Sequence, residues 1–244
     1  MKITSYIKKF IKNSNESFLE LKNNSKKSDD IYSMAILQPL LTDLPYLPFN
    51  GGALRPFGMA YVLNEIIINQ RRLILEFGSG LSTILMARLI KKNNLQTQIF
   101  TFEHNKKWAS IIETYLEREN LSRIVQVINT DLKKVDTSLG AVKWYDPSVF
   151  EKTLANYKFD LVLIDGPPAN LKELEYSRLP GLTNIENNLA PDFCIILDDI
   201  NRKGEQEVAK NYHALNQELT FTTVSQTIGV FRTKNDFNPI PIHY

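Results

Sequence analysis

The chain has 244 residues, of which 43% are hydrophobic and 23% charged, values of a globular domain long enough to bury a core without disulfide or metal. Its formal charge is +2, too small to imply nucleic-acid binding, and no stretch is long and apolar enough to span a bilayer. The single cysteine, Cys194, lies in an apolar run and reads as a small core residue.

The first thirty residues carry seven Lys against four Asp or Glu. Ile3, Tyr6, Ile7, Phe10 and Ile11 share a helical face, with Lys8, Lys9 and Lys12 beside it. This predicts a short amphipathic helix over part of 1–30, followed by a linker. It is expected to dock on the body or form a homodimer contact, with an anionic membrane surface as the alternative. Nothing there has the form of a secretory signal, so a cytoplasmic location is the default expectation. Residues 31–71 read as a cap segment, because Pro39 to Gly58 is punctuated by Pro and Gly before an apolar helix from Met59 to Ile68.

Residues 72–244 read as the main domain. Strands are predicted at Leu73–Phe77, Gln98–Phe102, Ile124–Ile128, Phe159–Ile164 and Phe193–Leu197. Helices are predicted at Ser82–Lys92, Asn105–Glu119 and Glu205–Leu219. A hairpin closes the chain at Phe221–Val224 and Ile228–Phe231. Continuous apolar strands alternating with helices imply an α/β fold, with a mostly parallel sheet covered on both faces and a terminal antiparallel hairpin.

The loops after the strands carry the chemistry. Glu76-Phe77-Gly78-Ser79-Gly80-Leu81-Ser82-Thr83 leaves the first strand and opens a helix. Glycine there permits a sharp turn and close approach to a ligand. A dinucleotide fingerprint would place a third glycine where Thr83 stands, and it does not explain the acidic Glu76. Both departures favour a cofactor with a cationic centre. The second strand ends at Glu103-His104, where a carboxylate can accept ribose hydroxyls. The third is followed by Asp131-Leu132, where the Asp can accept from an exocyclic amine. The fourth ends at Asp165-Gly166-Pro167-Pro168, and the fifth at Asp198-Asp199. Five acidic strand ends on one sheet edge describe a site.

These pieces, in this order, resemble the class I S-adenosylmethionine-dependent methyltransferases over about Leu73 to Arg232. That resemblance implies a Rossmann-like seven-stranded sheet. Glu76, Gly78, Ser79, Gly80, Ser82 and Thr83 would lie around the methionine part of S-adenosylmethionine. Glu103 and His104 would lie at the ribose, Asp131 and Leu132 at the adenine, and Asp165 near the transferring methyl. The Asp-Gly-Pro ending and Asp198-Asp199 are most similar to small-molecule and sugar O-methyltransferases, with Tyr176-Ser177-Arg178 adding to the likeness.

The expected reaction is O-methylation of a small-molecule or sugar hydroxyl. Asp165, Asp198 and Asp199 could together hold Mg²⁺ or another divalent cation. Two adjacent strand residues point oppositely, so Asp198 and Asp199 converge only where the chain bends. The opposing possibility is that Asp199 or Asn201 caps the next helix. Catechol-type relatives carry a lysine base three residues after the first Asp. Pro168 occupies that place here, which leaves Asp165 or His104 as the candidate base. Acceptor contacts are expected from Pro45–Phe57 with Arg55, from Val142–Phe150 with Trp144 and Tyr145, and from Tyr176–Pro180 with Arg178, unless these form a structural lid. The alternatives are an NAD(P)-dependent Rossmann oxidoreductase and an inactive cofactor-binding partner subunit.

Overall fold

The computed structural model describes residues 27–42, 45–47, 49–233 and 237–242. The predicted amphipathic helix, and any dimer contact through it, lie outside the described residues. No described helix is long and apolar enough to cross a membrane.

Residues 27–37 are helical and lead through a short 3₁₀ turn, Gln38–Leu40, to an irregular segment. Helix α1, Pro56–Ile68, begins three residues before the predicted Met59. Proline suits the first helical position, where its missing N–H costs nothing. There follow β1 (Leu73–Phe77), α2 (Leu81–Lys92), β2 (Gln98–Glu103), α3 (Lys106–Arg118) and β3 (Val125–Asn129). Next come β4 (Leu132–Thr137), β5 (Gly140–Tyr145), α4 (Pro147–Leu154), β6 (Phe159–Ile164) and α5 (Pro180–Thr183). The chain closes with β7 (Leu189–Leu197), α6 (Lys203–Leu215), β8 (Thr220–Thr223) and β9 (Gly229–Arg232).

Seven strands form one sheet in the order β3-β2-β1-β6-β7-β9-β8, parallel from β3 to β7 and antiparallel at both β7–β9 and β8–β9. The expected Rossmann-like sheet with its closing hairpin is therefore present. The hairpin β4–β5 forms a separate two-stranded sheet. It was not foreseen, because the charged run Leu132-Lys133-Lys134-Val135-Asp136-Thr137 is mostly exposed and lacks the apolar signature of a buried strand.

Side-chain alternation along the strands builds two cores. Leu161 and Leu163 face a cluster with Ile74, Cys194, Ile196 and α1 residues such as Tyr61 and Val62. Val162 and Ile164 face a second with Leu75, Phe77, Ile195, Leu197 and Tyr212. Cys194 is buried, as expected of a small core residue. The one polar interruption of β6 has a structural use. Asp160 accepts from the N–H groups of Arg72 (2.7 Å) and Leu73 (3.0 Å), so it anchors the start of β1.

At the opposite edge, the parallel ladder runs one residue past each strand. Asp165 N–H donates to Phe77 O (3.0 Å), Gly78 N–H to Phe102 O (2.9 Å), Thr130 N–H to Glu103 O (3.0 Å) and Asp198 N–H to Ile164 O (3.0 Å). The carboxyl ends of these five strands are thereby locked in line.

Candidate active site

The loop after β1 is built on its own acid. Glu76 is fully buried and accepts from Ser82 Oγ and Thr83 Oγ1, each at 2.5 Å. Thr83 Oγ1 in turn accepts from Gly80 N–H at 2.9 Å. Burial pushes the Glu76 carboxyl up to about 7, against the lowering effect of the two hydroxyls. Thr83 is thus a working replacement for the third glycine of a dinucleotide loop, since glycine has no hydroxyl to offer Glu76.

Gly78 sits at φ +94°, a conformation in which other residues are strained. A Cβ there would lie 3.0 Å from Gly166 N, and one on Gly166 would lie 2.8 Å from Gly78 Cα and 2.7 Å from the Tyr145 hydroxyl. The first and fourth loops therefore touch backbone to backbone. Gly80, by contrast, has open space where a side chain would project.

A cavity of about 750 Å³ opens over these strand ends. Gly78, Ser79, Glu103, His104, Asp165, Asp198 and Asp199, all anticipated from sequence, line it. Glu103 is almost fully buried. It accepts from Ser79 Oγ (3.1 Å) and Asn105 N–H (2.7 Å), and His104 Nδ1 lies 3.2 Å from its Oε1. Glu76, Ser82 and Thr83 are buried, outside the cavity lining, and shape the loop. Asp131 is exposed and Leu132 half-buried, beside Glu103 through the Thr130 bond but outside the cavity lining.

The acids at β6 and β7 converge. Asp165, Asp198 and Asp199 each offer an oxygen within 4.8 Å of the others. Asp199 makes the bend this requires, at φ +61°, which Asp tolerates better than most residues. It does not cap α6, whose N-cap is Arg202. Burial raises the Asp165 carboxyl well above the usual range, and the Asp198 charge adds to this while Arg178 opposes it. Asp198 is raised by burial and by Asp199. Its Oδ1 is enclosed without a hydrogen-bond partner among the described residues.

The acceptor-side expectations need correction. Trp144 and Tyr145 are buried, packed on Phe77 with centroids 4.7 and 5.7 Å away. They are core residues delivered by β5, and of the two only Tyr145 reaches the cavity lining. Arg178 is also buried and lines the cavity, with its guanidinium engaged by the acids. Arg55 does line the cavity, paired with Asp30. Trp108 lines it too, and its indole N–H donates to Ser79 O at 2.8 Å. Only its place one turn into α3 hinted at this.

Residues 75–200 match the family model described as a methyltransferase domain, which is more than half of the 244-residue chain. No curated protein matches. Among solved structures, the O-methyltransferase TomG of Streptomyces achromogenes, in complex with SAM, is 17% identical with a TM-score of 0.54, over 85% of this chain and 96% of that one. The SAH-bound Podospora anserina methyltransferase PaMTH1 is 16% identical with a TM-score of 0.53, over 75% and 80%. A methyltransferase from Geobacter sulfurreducens is 14% identical with a TM-score of 0.50, over 83% and 89%. The glycine contact between the first and fourth loops, the row of strand-end acids and the family match agree: the chain belongs to the methyltransferase domain family and has the class I S-adenosylmethionine-dependent methyltransferase fold.

Proposed function

We propose that this enzyme transfers the methyl group of S-adenosylmethionine to a hydroxyl of a small molecule or sugar, assisted by a divalent cation. The observation that carries the reading is the single cavity over the strand ends, where Gly78, Ser79 and Glu103 stand on one side and Asp165, Asp198 and Asp199 on the other. The open space at Gly80 leaves room for the amino-acid end of the cofactor against the α2 N-terminus. Glu103 suits the ribose and Asp131, one strand further, the adenine edge. O-methylation draws on the neighbour TomG, named as an O-methyltransferase, and on the acid pattern.

Methyl transfer is an in-line displacement. A carbon–oxygen bond forms as the carbon–sulfur bond breaks, the sulfonium becomes a neutral thioether, and the hydroxyl proton leaves to a base. Alignment alone contributes roughly 7–11 kcal/mol in such reactions. Asp165 and His104 are the candidate proton acceptors at the cavity; a cation held by Asp165 would suppress its basicity, so for that residue the two roles are alternatives. His104 pairs with Glu103 on the far side of the cavity, which suits a ribose-side role better than base catalysis.

Asp165, Asp198 and Asp199 fit a hard cation: they are all-oxygen donors, mutually close, with one enclosed oxygen lacking a partner. A bound dication would make the acceptor hydroxyl more acidic. Pro168 stands where catechol-type relatives carry a lysine base.

The test is calorimetric titration with S-adenosylmethionine and S-adenosylhomocysteine, then tritium transfer from labelled S-adenosylmethionine to a panel of catechols and sugars, with and without EDTA. Saturable binding of both and EDTA-sensitive labelling of a hydroxyl are expected. Full activity in excess EDTA removes the metal. Cofactor binding without turnover on any acceptor favours a partner subunit. Binding of NAD(H) in place of either ligand overturns the assignment.

A further inference from the structure

The strand-end carboxylates are held by more than their strands. Arg178, 3% exposed, approaches from the turn preceding α5. One terminal nitrogen of its guanidinium donates to the Asp165 carbonyl (2.9 Å) and to Asp165 Oδ1 (3.3 Å), and pairs with Asp199 Oδ2 at 3.0 Å. The other terminal nitrogen donates to the Asp198 carbonyl (3.0 Å) and faces Glu205 Oε1 at 3.8 Å. One side chain therefore ties the ends of β6 and β7 together and claims one oxygen from each of two carboxylates. Only a planar fork with several fixed donors can do all of this at once; an ammonium is a point charge with three donors.

What Arg178 leaves untouched is as informative. The second oxygens of Asp165 and Asp199 are not among its contacts, and Asp198 Oδ1 is enclosed without a donor among the described residues, the Asp198 carboxyl standing within hydrogen-bonding reach of Asp165. Arg202 pairs with Asp199 Oδ2 at 2.7 Å, the same oxygen that Arg178 holds, and faces Glu205 at 3.6 Å. Asp165, Asp198, Asp199 and Glu205 set four carboxylates against the two guanidiniums of Arg178 and Arg202. The cluster therefore holds two more acids than guanidiniums.

We infer that Arg178 is the positioning residue of a divalent-cation site made by Asp165, Asp198 and Asp199. It draws Asp165 Oδ1 and Asp199 Oδ2 to itself and so turns their other oxygens, with Asp198 Oδ1, toward one point. The inference rests on the metal-assisted reading above. Charge alone makes the opposite prediction, because a guanidinium repels a second cation and its removal should tighten metal binding. The sign of the change separates the two.

The experiment uses the full chain and needs no acceptor. Mn²⁺ affinity is measured by electron paramagnetic resonance for the wild type, Arg178→Gln and Arg178→Lys, and for Arg178→Ala with and without added methylguanidinium. S-Adenosylhomocysteine calorimetry and thermal melts report the fold of each. Partners that orient metal ligands are commonly worth 10- to 100-fold in affinity, so both Arg178→Gln and Arg178→Lys should weaken Mn²⁺ binding by about that factor while retaining S-adenosylhomocysteine binding. Methylguanidinium should restore part of the Mn²⁺ affinity of Arg178→Ala. Should Arg178→Gln fail to fold, Arg178→Lys, which keeps the charge and loses the fork, carries the test. Equal or tighter Mn²⁺ binding by folded Arg178→Lys overturns the inference and leaves the metal reading standing. A wild type that binds S-adenosylhomocysteine but no Mn²⁺ overturns both.

Discussion

Two buried charge clusters lie at opposite edges of the same sheet, and they are built on different arithmetic. At the amino-terminal edge, Glu65 of α1 is fully buried, accepts from Arg71 at 2.8 Å and pairs with Arg232, while Arg71 also faces Asp192 at 3.7 Å. There one buried carboxylate is held directly by two guanidiniums. At the carboxyl edge, four carboxylates meet two guanidiniums. A cluster whose central carboxylate is held by two guanidiniums needs no added cation, and this one joins α1 to the turn before β1 and to β9. One with more acids than guanidiniums costs folding energy unless protons or a cation neutralise it. The contrast marks the second edge as the place where the chain trades stability for chemistry.

The largest effect should come from breaking the amino-terminal cluster. Glu65→Ala leaves Arg71 and Arg232 without their shared buried carboxylate, and such losses typically cost about 3–5 kcal/mol. Urea denaturation should show that loss; a change within error would mean the pairing is inert.

A pH titration tests the cavity floor. Glu76 has its folded carboxyl raised from 4.5 to about 7, so between these values the folded state holds a proton that the unfolded state has released. Stability should therefore fall as pH rises through that window. A shift of this size corresponds to a few kcal/mol at most. Glu76→Gln should flatten the melting-temperature profile between pH 5 and pH 7.5. An unchanged slope would assign the effect to other groups.

Gly166→Ala should cost about 1–3 kcal/mol, the usual range for overpacking, because the new methyl meets the Gly78 backbone and the Tyr145 hydroxyl. It should also weaken S-adenosylhomocysteine binding, since the two loops must separate. Calorimetry showing wild-type affinity would detach this contact from the cofactor site.

The smallest effect on stability sharpens the comparison most. Asp198→Asn removes one of the excess acids, so it should leave stability unchanged or raise it by up to about 1 kcal/mol. Loss of Mn²⁺ binding should accompany it. A clear destabilisation would mean that Asp198 is as structural as Glu65.

The rim could be read in the sequence because each of its parts is local. A strand that ends at Glu76, Glu103, Asp165 or Asp198 places that residue on the same edge as the others once the strands are parallel, and parallel pairing follows from their alternation with helices. The cavity shows seven of the expected residues together, while Asp131 stays outside its lining. The roles of the remainder were not legible, because they depend on what arrives from elsewhere in the chain. Arg178 is 13 residues beyond Asp165 and looked like an acceptor contact; its burial among the acids follows from the path of the chain before α5. Trp144 and Tyr145 looked like pocket aromatics; the β4–β5 hairpin folds both into the core, and Tyr145 alone also reaches the cavity lining.

By itself, then, the amino-acid sequence determined the sheet, its direction and the acidic character of one edge, because hydrophobic periodicity and strand-end residues are properties of short stretches. Only the tertiary structure decided how those acids are shared out: Glu76 to its own loop, Glu103 to Ser79 and Asn105, and Asp165 and Asp199 to the guanidinium of Arg178. Charge compensation depends on distances between residues far apart in the chain, and no local pattern encodes them.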